Sequence, residues 1–84
     1  MSLNKTLKER GARYGNFATQ SEIVQGLKSA MYSSKNWPSL ENDMKEALEM
    51  VVSKIGRILN GDPRYKDSWT DIAGYASLIE KTLK

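Results

Sequence analysis

The chain has 84 residues, 39% apolar and 27% charged, which is room for one small domain and too apolar for a disordered segment. With no cysteine and no histidine, a disulfide framework, a thiol nucleophile, a thiolate or imidazole metal site and the commonest general base are all excluded. The net charge of +3 gathers in the first twenty residues, where Lys5, Lys8, Arg10 and Arg13 stand against Glu9, and a basic end on a nearly neutral body suits a local anion site or a weak nucleic-acid patch rather than a duplex-binding surface.

No stretch alternates with period two, so the elements are read as helices. A short N-terminal helix is expected near Asn4–Ala12, with Thr6 and Glu9 as a capping box and Gly11 and Gly15 as stops. A second begins at Thr19, where Thr-Gln-Ser-Glu22 fits a capping box and Ile23, Val24, Leu27, Ala30 and Met31 recur at helical spacing; it fades around Tyr32–Ser34. Pro38 disfavours helix at Trp37, so residues 33–38 are a loop and Ser39 is the N-cap of the third helix.

The third helix, Leu40 to Asn60, carries the clearest pattern. At about 100° per residue, Leu40, Met44, Ala47, Leu48, Val51, Val52, Ile55, Ile58 and Leu59 fall in an arc of roughly 140°, wide enough for two neighbours. Gly61 is expected in the left-handed C′ conformation, with Pro63 as the stop. The fourth helix starts at Asp67 or Ser68 and runs to the C-terminus, with Trp69, Ile72, Ala76, Ile79 and Leu83 as a seam and Trp69 in the core. Gly26, Gly56 and Gly74 each cost a helix about 1 kcal/mol against alanine, so each marks a candidate close crossing.

Together these elements predict an all-α fold: one domain over residues 1–84, a small bundle of three main helices plus a short N-terminal helix. A core this small has a thin margin, and Met50, Tyr75 and Leu78 lie outside the main stripes, so a homo-oligomer, most simply a dimer, is expected to complete it. No apolar run spans a bilayer and no secretory leader is visible, although Met1-Ser2-Leu3 has the look of an added leader; the chain reads as cytoplasmic.

Two acid pairs offer chemistry. Glu46 and Glu49 stand three apart on the third helix, and Asp67 and Asp71 one turn apart at the start of the fourth; should the two helices pack antiparallel in the right phase, the four carboxylates would converge as an oxygen site for Mg²⁺ that holds a nucleotide's phosphates and activates water. The same residues have plain structural uses: Glu46 and Glu49 lie opposite the apolar stripe, and Asp67 and Asp71 suit a helix start. Lys54, Arg57, Arg10 and Arg13 are candidate phosphate contacts, or a solvated basic surface paired with acids. Tyr75, one turn past Asp71, is a candidate base or sugar contact.

The segments Lys54-Ile-Gly-Arg-Ile-Leu-Asn-Gly-Asp-Pro63 and Asp67-Ser-Trp-Thr-Asp-Ile-Ala-Gly-Tyr-Ala76, with the opening Glu9-Arg-Gly-x-x-Tyr-Gly-x-Phe17, resemble small phage and prophage proteins classed as a domain of unknown function. That likeness implies a viral or prophage origin, hence the host cytoplasm, rather than a reaction. More distantly, Glu46-x-x-Glu49 followed by Ser68-x-x-Asp71 is similar to the Glu-x-x-Glu and Glu-x-x-Asp signature of MazG-like all-α nucleotide pyrophosphohydrolases, which are Mg²⁺-dependent and oligomeric. The resemblance implies Glu46, Glu49 and Asp71 as ligands, with Asp67 standing in for the glutamate that Ser68 replaces. Two readings follow: Mg²⁺-dependent nucleotide binding or pyrophosphohydrolysis, or a non-catalytic helical adaptor, which the lost glutamate favours. Single-stranded nucleic-acid binding is disfavoured, because no basic strand interleaved with aromatic residues exists.

Overall fold

The computed structural model describes residues 13–84. Three helices follow in order: α1 (Phe17–Tyr32), α2 (Asn42–Asn60) and α3 (Lys66–Glu80), with a 3-10 turn at Trp37–Ser39 between the first two. Among the described residues there is no strand. The expected N-terminal helix, and Arg10 with it, lie outside the described residues.

The helix starts differ by a residue or two from those expected, each for a local reason. Asn16 rather than Thr19 caps α1, its Oδ1 accepting from the Thr19 backbone N–H at 3.2 Å, which starts the helix at Phe17. Before α2, Pro38 sits in the first turn of the 3-10 segment, where its missing N–H and fixed φ are tolerated. Leu40 and Glu41 are then extended, and Glu41 caps α2 without a side-chain bond.

At the far end of α2, Gly61 closes the helix with its N–H on Arg57 O (2.9 Å). Its φ of −125° is not left-handed; the requirement for glycine comes from contact, since a Cβ there would lie 2.2 Å from Arg13 O. The left-handed glycine is Gly15, with φ +80°, where a Cβ would also meet Asn60 O at 2.1 Å. Asn60 fastens this junction, donating from Nδ2 to Tyr14 O (3.0 Å) and Asn16 O (2.8 Å), while Asp62 N–H donates to Arg13 O at 2.7 Å.

Both outer helices run antiparallel to α2. Gly56 of α2 faces Val24 and Gln20 of α1, and Glu49 meets Tyr32 and Lys28; on the other flank Lys54 meets Asp71 of α3. The extensive helix–helix contacts are those of α1 with α2 and of α3 with α2. Among the described residues the buried apolar side chains are Val24, Ala47 and Val52.

Burial runs against the expectation of a stripe packed at its centre. Val52 and Ala47, at the two edges of the arc, are 6% and 9% exposed, whereas Leu48 and Leu59, inside it, are 43% and 65% exposed. Trp69, expected in the core, is 54% exposed: with α3 starting at Lys66, Ser68 takes the buried position, and the indole lies over the loop with Nε1 donating to Pro63 O at 2.8 Å. No described helix is long and apolar enough to cross a membrane.

Candidate functional site

Three of the four acids are held by protein groups. Glu49 accepts from the Tyr32 hydroxyl at 2.6 Å and lies 3.8 Å from Lys28 Nζ, so it serves the α1–α2 contact. That bond favours the neutral phenol, and together with burial and the carboxylate's charge it raises the Tyr32 hydroxyl above its ordinary value of 10.0. Asp71 pairs with Lys54 at 3.1 Å on the opposite flank of α2. Asp67 accepts from the Tyr65 hydroxyl at 3.2 Å, and Glu46 is exposed to solvent. Among the described residues no group of three or more carboxylates lies close enough to hold a metal ion. The physical reason is phase: the turn between α2 and α3 rotates Asp71 toward Lys54, whereas Glu49 faces α1 about half a turn of the wheel away.

The cations divide in the same way. Lys54, an expected phosphate contact, is 9% exposed and occupied by Asp71. Arg57 and Arg13 meet instead at the α2–α3 junction, in a ladder with two tyrosines that the sequence pattern did not reveal. The Arg57 guanidinium lies 4.4 Å from the Tyr14 ring centroid, the Tyr14 and Tyr65 rings meet edge to face at 6.1 Å, and the Arg13 guanidinium lies 5.3 Å from Tyr65. Arg57 Nε is shut from solvent without an acceptor; the ring face replaces the lost water only in part. Burial raises the Tyr65 hydroxyl above its ordinary value, against the opposing charge of Arg13 and with the help of Asp67.

A concavity of a different character lies elsewhere. An apolar furrow of about 510 Å³ runs between α2 and α3, lined by Met44, Leu48, Val51, Ile72 and Ile79. Tyr75 lines it as well, with Glu80 and Leu83 at the end, and also borders a second concavity of about 430 Å³ with Thr70, Asp71, Gly74 and Leu78.

No curated protein and no solved structure matches the chain. Residues 3–83 match the family model of a domain of unknown function, DUF6378, and the chain belongs to that family.

Proposed function

We propose that this chain is a non-catalytic helical interaction module that works by presenting the α2–α3 furrow to an apolar helical surface of another polypeptide. The observation that carries this is the exposure of the furrow itself: Leu48, inside the apolar stripe of α2, and Leu83 are 43% and 58% exposed, which costs about 25 cal/mol for every apolar Å² left in water, a cost that docking would recover. An apolar groove flanked by helices is the usual receptor for an amphipathic helix. The resemblance to phage and prophage proteins supports a small accessory chain acting in a host cytoplasm.

Mg²⁺-dependent nucleotide hydrolysis draws less support, because Glu49, Asp67 and Asp71 each have a protein partner and a hard cation needs several oxygens at one point.

Photo-crosslinking from a reactive side chain placed at Leu48, with Leu78 outside the furrow as control, tests the module. A discrete adduct from position 48 alone, reproduced with the purified species, is the expected result. Equal labelling from both positions, or none, overturns it. Nucleoside triphosphate with Mg²⁺ should leave the melting temperature unchanged; a rise that Glu49→Ala and Asp71→Ala each abolish would instead restore the hydrolase reading.

A further inference from the structure

We infer that the junction where residues 13–17, the end of α2 and the start of α3 meet binds single-stranded nucleic acid, its phosphates on arginine and its unpaired bases on aromatic rings. This surface lies toward the opposite end of the α2–α3 pair from the furrow and goes beyond the furrow's role.

The first observation is charge. Among the described residues the ion pairs are Lys28 with Glu49 and Lys54 with Asp71, both along the flanks of α2. Arg13, Arg57, Arg64 and Lys66 gather at the junction and enter neither. Two acids stand near them, and both are engaged by the turn itself: Asp62 Oδ1 accepts from the Arg64 backbone N–H at 2.9 Å, and Asp67 accepts from the Tyr65 hydroxyl at 3.2 Å. Four cations against two acids leave a local excess of +2, whereas residues 13–84 as a whole carry only +1. Positive potential is therefore concentrated at this end of the described chain.

The second is how the arginines are held. A guanidinium set over a ring is held by its face, while its N–H donors lie in its plane. Arg57 lies 4.4 Å from the Tyr14 centroid and Arg13 5.3 Å from that of Tyr65, and among the described residues neither side chain donates a hydrogen bond. The Nε of Arg57 is shut in, but the terminal amino groups remain, in the fork that fits a phosphate. The tyrosines thus position the two cations without neutralising them.

The third is the rings left in water. Phe17 follows Asn16, whose carbonyl accepts from Asn60, and is 78% exposed; Trp69 is 54% exposed, with its indole N–H fixed on Pro63 O. Bases stack on such faces whatever their sequence. An acidic peptide would use the cations and leave the rings idle, and a duplex keeps its base faces covered. No one segment carries this pattern of cations and rings; the fold assembles it from residues 13–17, Arg57 and residues 64–69.

Fluorescence anisotropy of a labelled oligothymidylate of about fifteen nucleotides, titrated with the full chain, tests the inference. Binding is expected at low salt, with log K falling against log salt at a slope of about −2, the value for three phosphates of a single strand. Arg64→Glu, at an exposed position, should weaken binding about tenfold and flatten the slope by about 0.7. Lys35→Glu, the same change of charge in the exposed loop between α1 and α2, should do neither. Trp69→Leu should weaken binding about fivefold or more while helical circular dichroism persists. As a readout that needs no variant, the Trp69 indole N–H resonance should shift on titration and that of Trp37 should not.

No binding at low salt, an equal loss from Lys35→Glu, or an unmoved Trp69 resonance overturns the proposal. Equal affinity for inorganic polyphosphate, for duplex DNA or for anionic phospholipid vesicles overturns it too, since the surface would then read charge alone. Leu48→Glu should leave oligonucleotide binding unchanged, so failure at this junction and failure of the furrow are read separately.

Discussion

Alanine at the three helical glycines separates contact from propensity. A Cβ on Gly56 would lie 2.5 Å from Val24 Cγ2 and 3.4 Å from Gln20 Cγ, far inside van der Waals contact in the first case. Val24 is 8% exposed, and a β-branched side chain in a helix has essentially one rotamer, so the methyl cannot swing aside and α1 must move. Overpacking of this kind costs about 1–3 kcal/mol, against about 1 kcal/mol gained by removing glycine from a helix interior. Gly56→Ala should therefore lower stability by about 1 kcal/mol, and the melting temperature by about 4–8 °C. At Gly26 and Gly74 an added Cβ would meet nothing within 4 Å, so there the gain stands alone and the same substitution should raise melting by a similar amount. The assay is thermal unfolding followed by circular dichroism at one fixed chain concentration, because any association couples to the transition. In a Val24→Ala background the clash is gone, and Gly56→Ala should turn neutral or stabilising, a coupling of about 1–3 kcal/mol. If Gly56→Ala raised the melting temperature as much as Gly74→Ala, the close approach of α1 and α2 at this point would be refuted.

Glu49→Gln should bring the Tyr32 hydroxyl back toward its ordinary value of 10.0, read from tyrosinate absorbance; because the folded-state value is raised, the stability tied to that proton is complete below the ordinary value and drains away as pH rises through the folded one, so a wild-type melt unchanged across that alkaline window would contradict the bond. Asp71→Asn strands the buried Lys54 ammonium and should cost about 1–2 kcal/mol, less than a wholly buried pair because the carboxylate side chain is 45% exposed. Lys54→Met should cost less than Asp71→Asn in denaturant melts, and the opposite order would show that the ammonium, not its partner, carries the contribution. Asn60→Asp exchanges a two-bond donor for a carboxylate facing the carbonyls of Tyr14 and Asn16, with an expected loss of about 2–3 kcal/mol and faster amide exchange at residues 13–16; unchanged exchange there would mean the two bonds do not hold the segment.

The helices were legible because amphipathic spacing is a local property: the 3.6-residue repeat of α2 and the breakers at Pro38 and Pro63 needed no tertiary information. Helix phase was not legible, since it depends on the short turn between Asn60 and Lys66, whose rotation no side-chain pattern encodes. That is why acids placed together by spacing were separated in space, with Asp71 on Lys54 and Glu49 on Tyr32. The same gap explains Trp69, whose seam position assumed that α3 meets α2 through residue 69 when Ser68 takes that place. Gly61 was read as a conformational device and serves as a steric one, because the segment that crowds it, Arg13–Tyr14, comes from the far end of the chain. The Arg57–Tyr14–Tyr65–Arg13 ladder depends on that same long-range meeting, which sequence spacing cannot foresee.

Because α1 and α3 pack chiefly on α2, and their sides join through Arg13 and Tyr14 against Tyr65 ahead of the two helices, the flanks are only loosely tied to each other. Heat or denaturant acting on one outer helix leaves the remaining antiparallel pair with all its own contacts, so opening starts at the margins and ends at the central rod. Amide protons of α2 should then be the last to exchange, and damage on one side of the molecule should pass to the other mainly as far as it loosens that shared middle member.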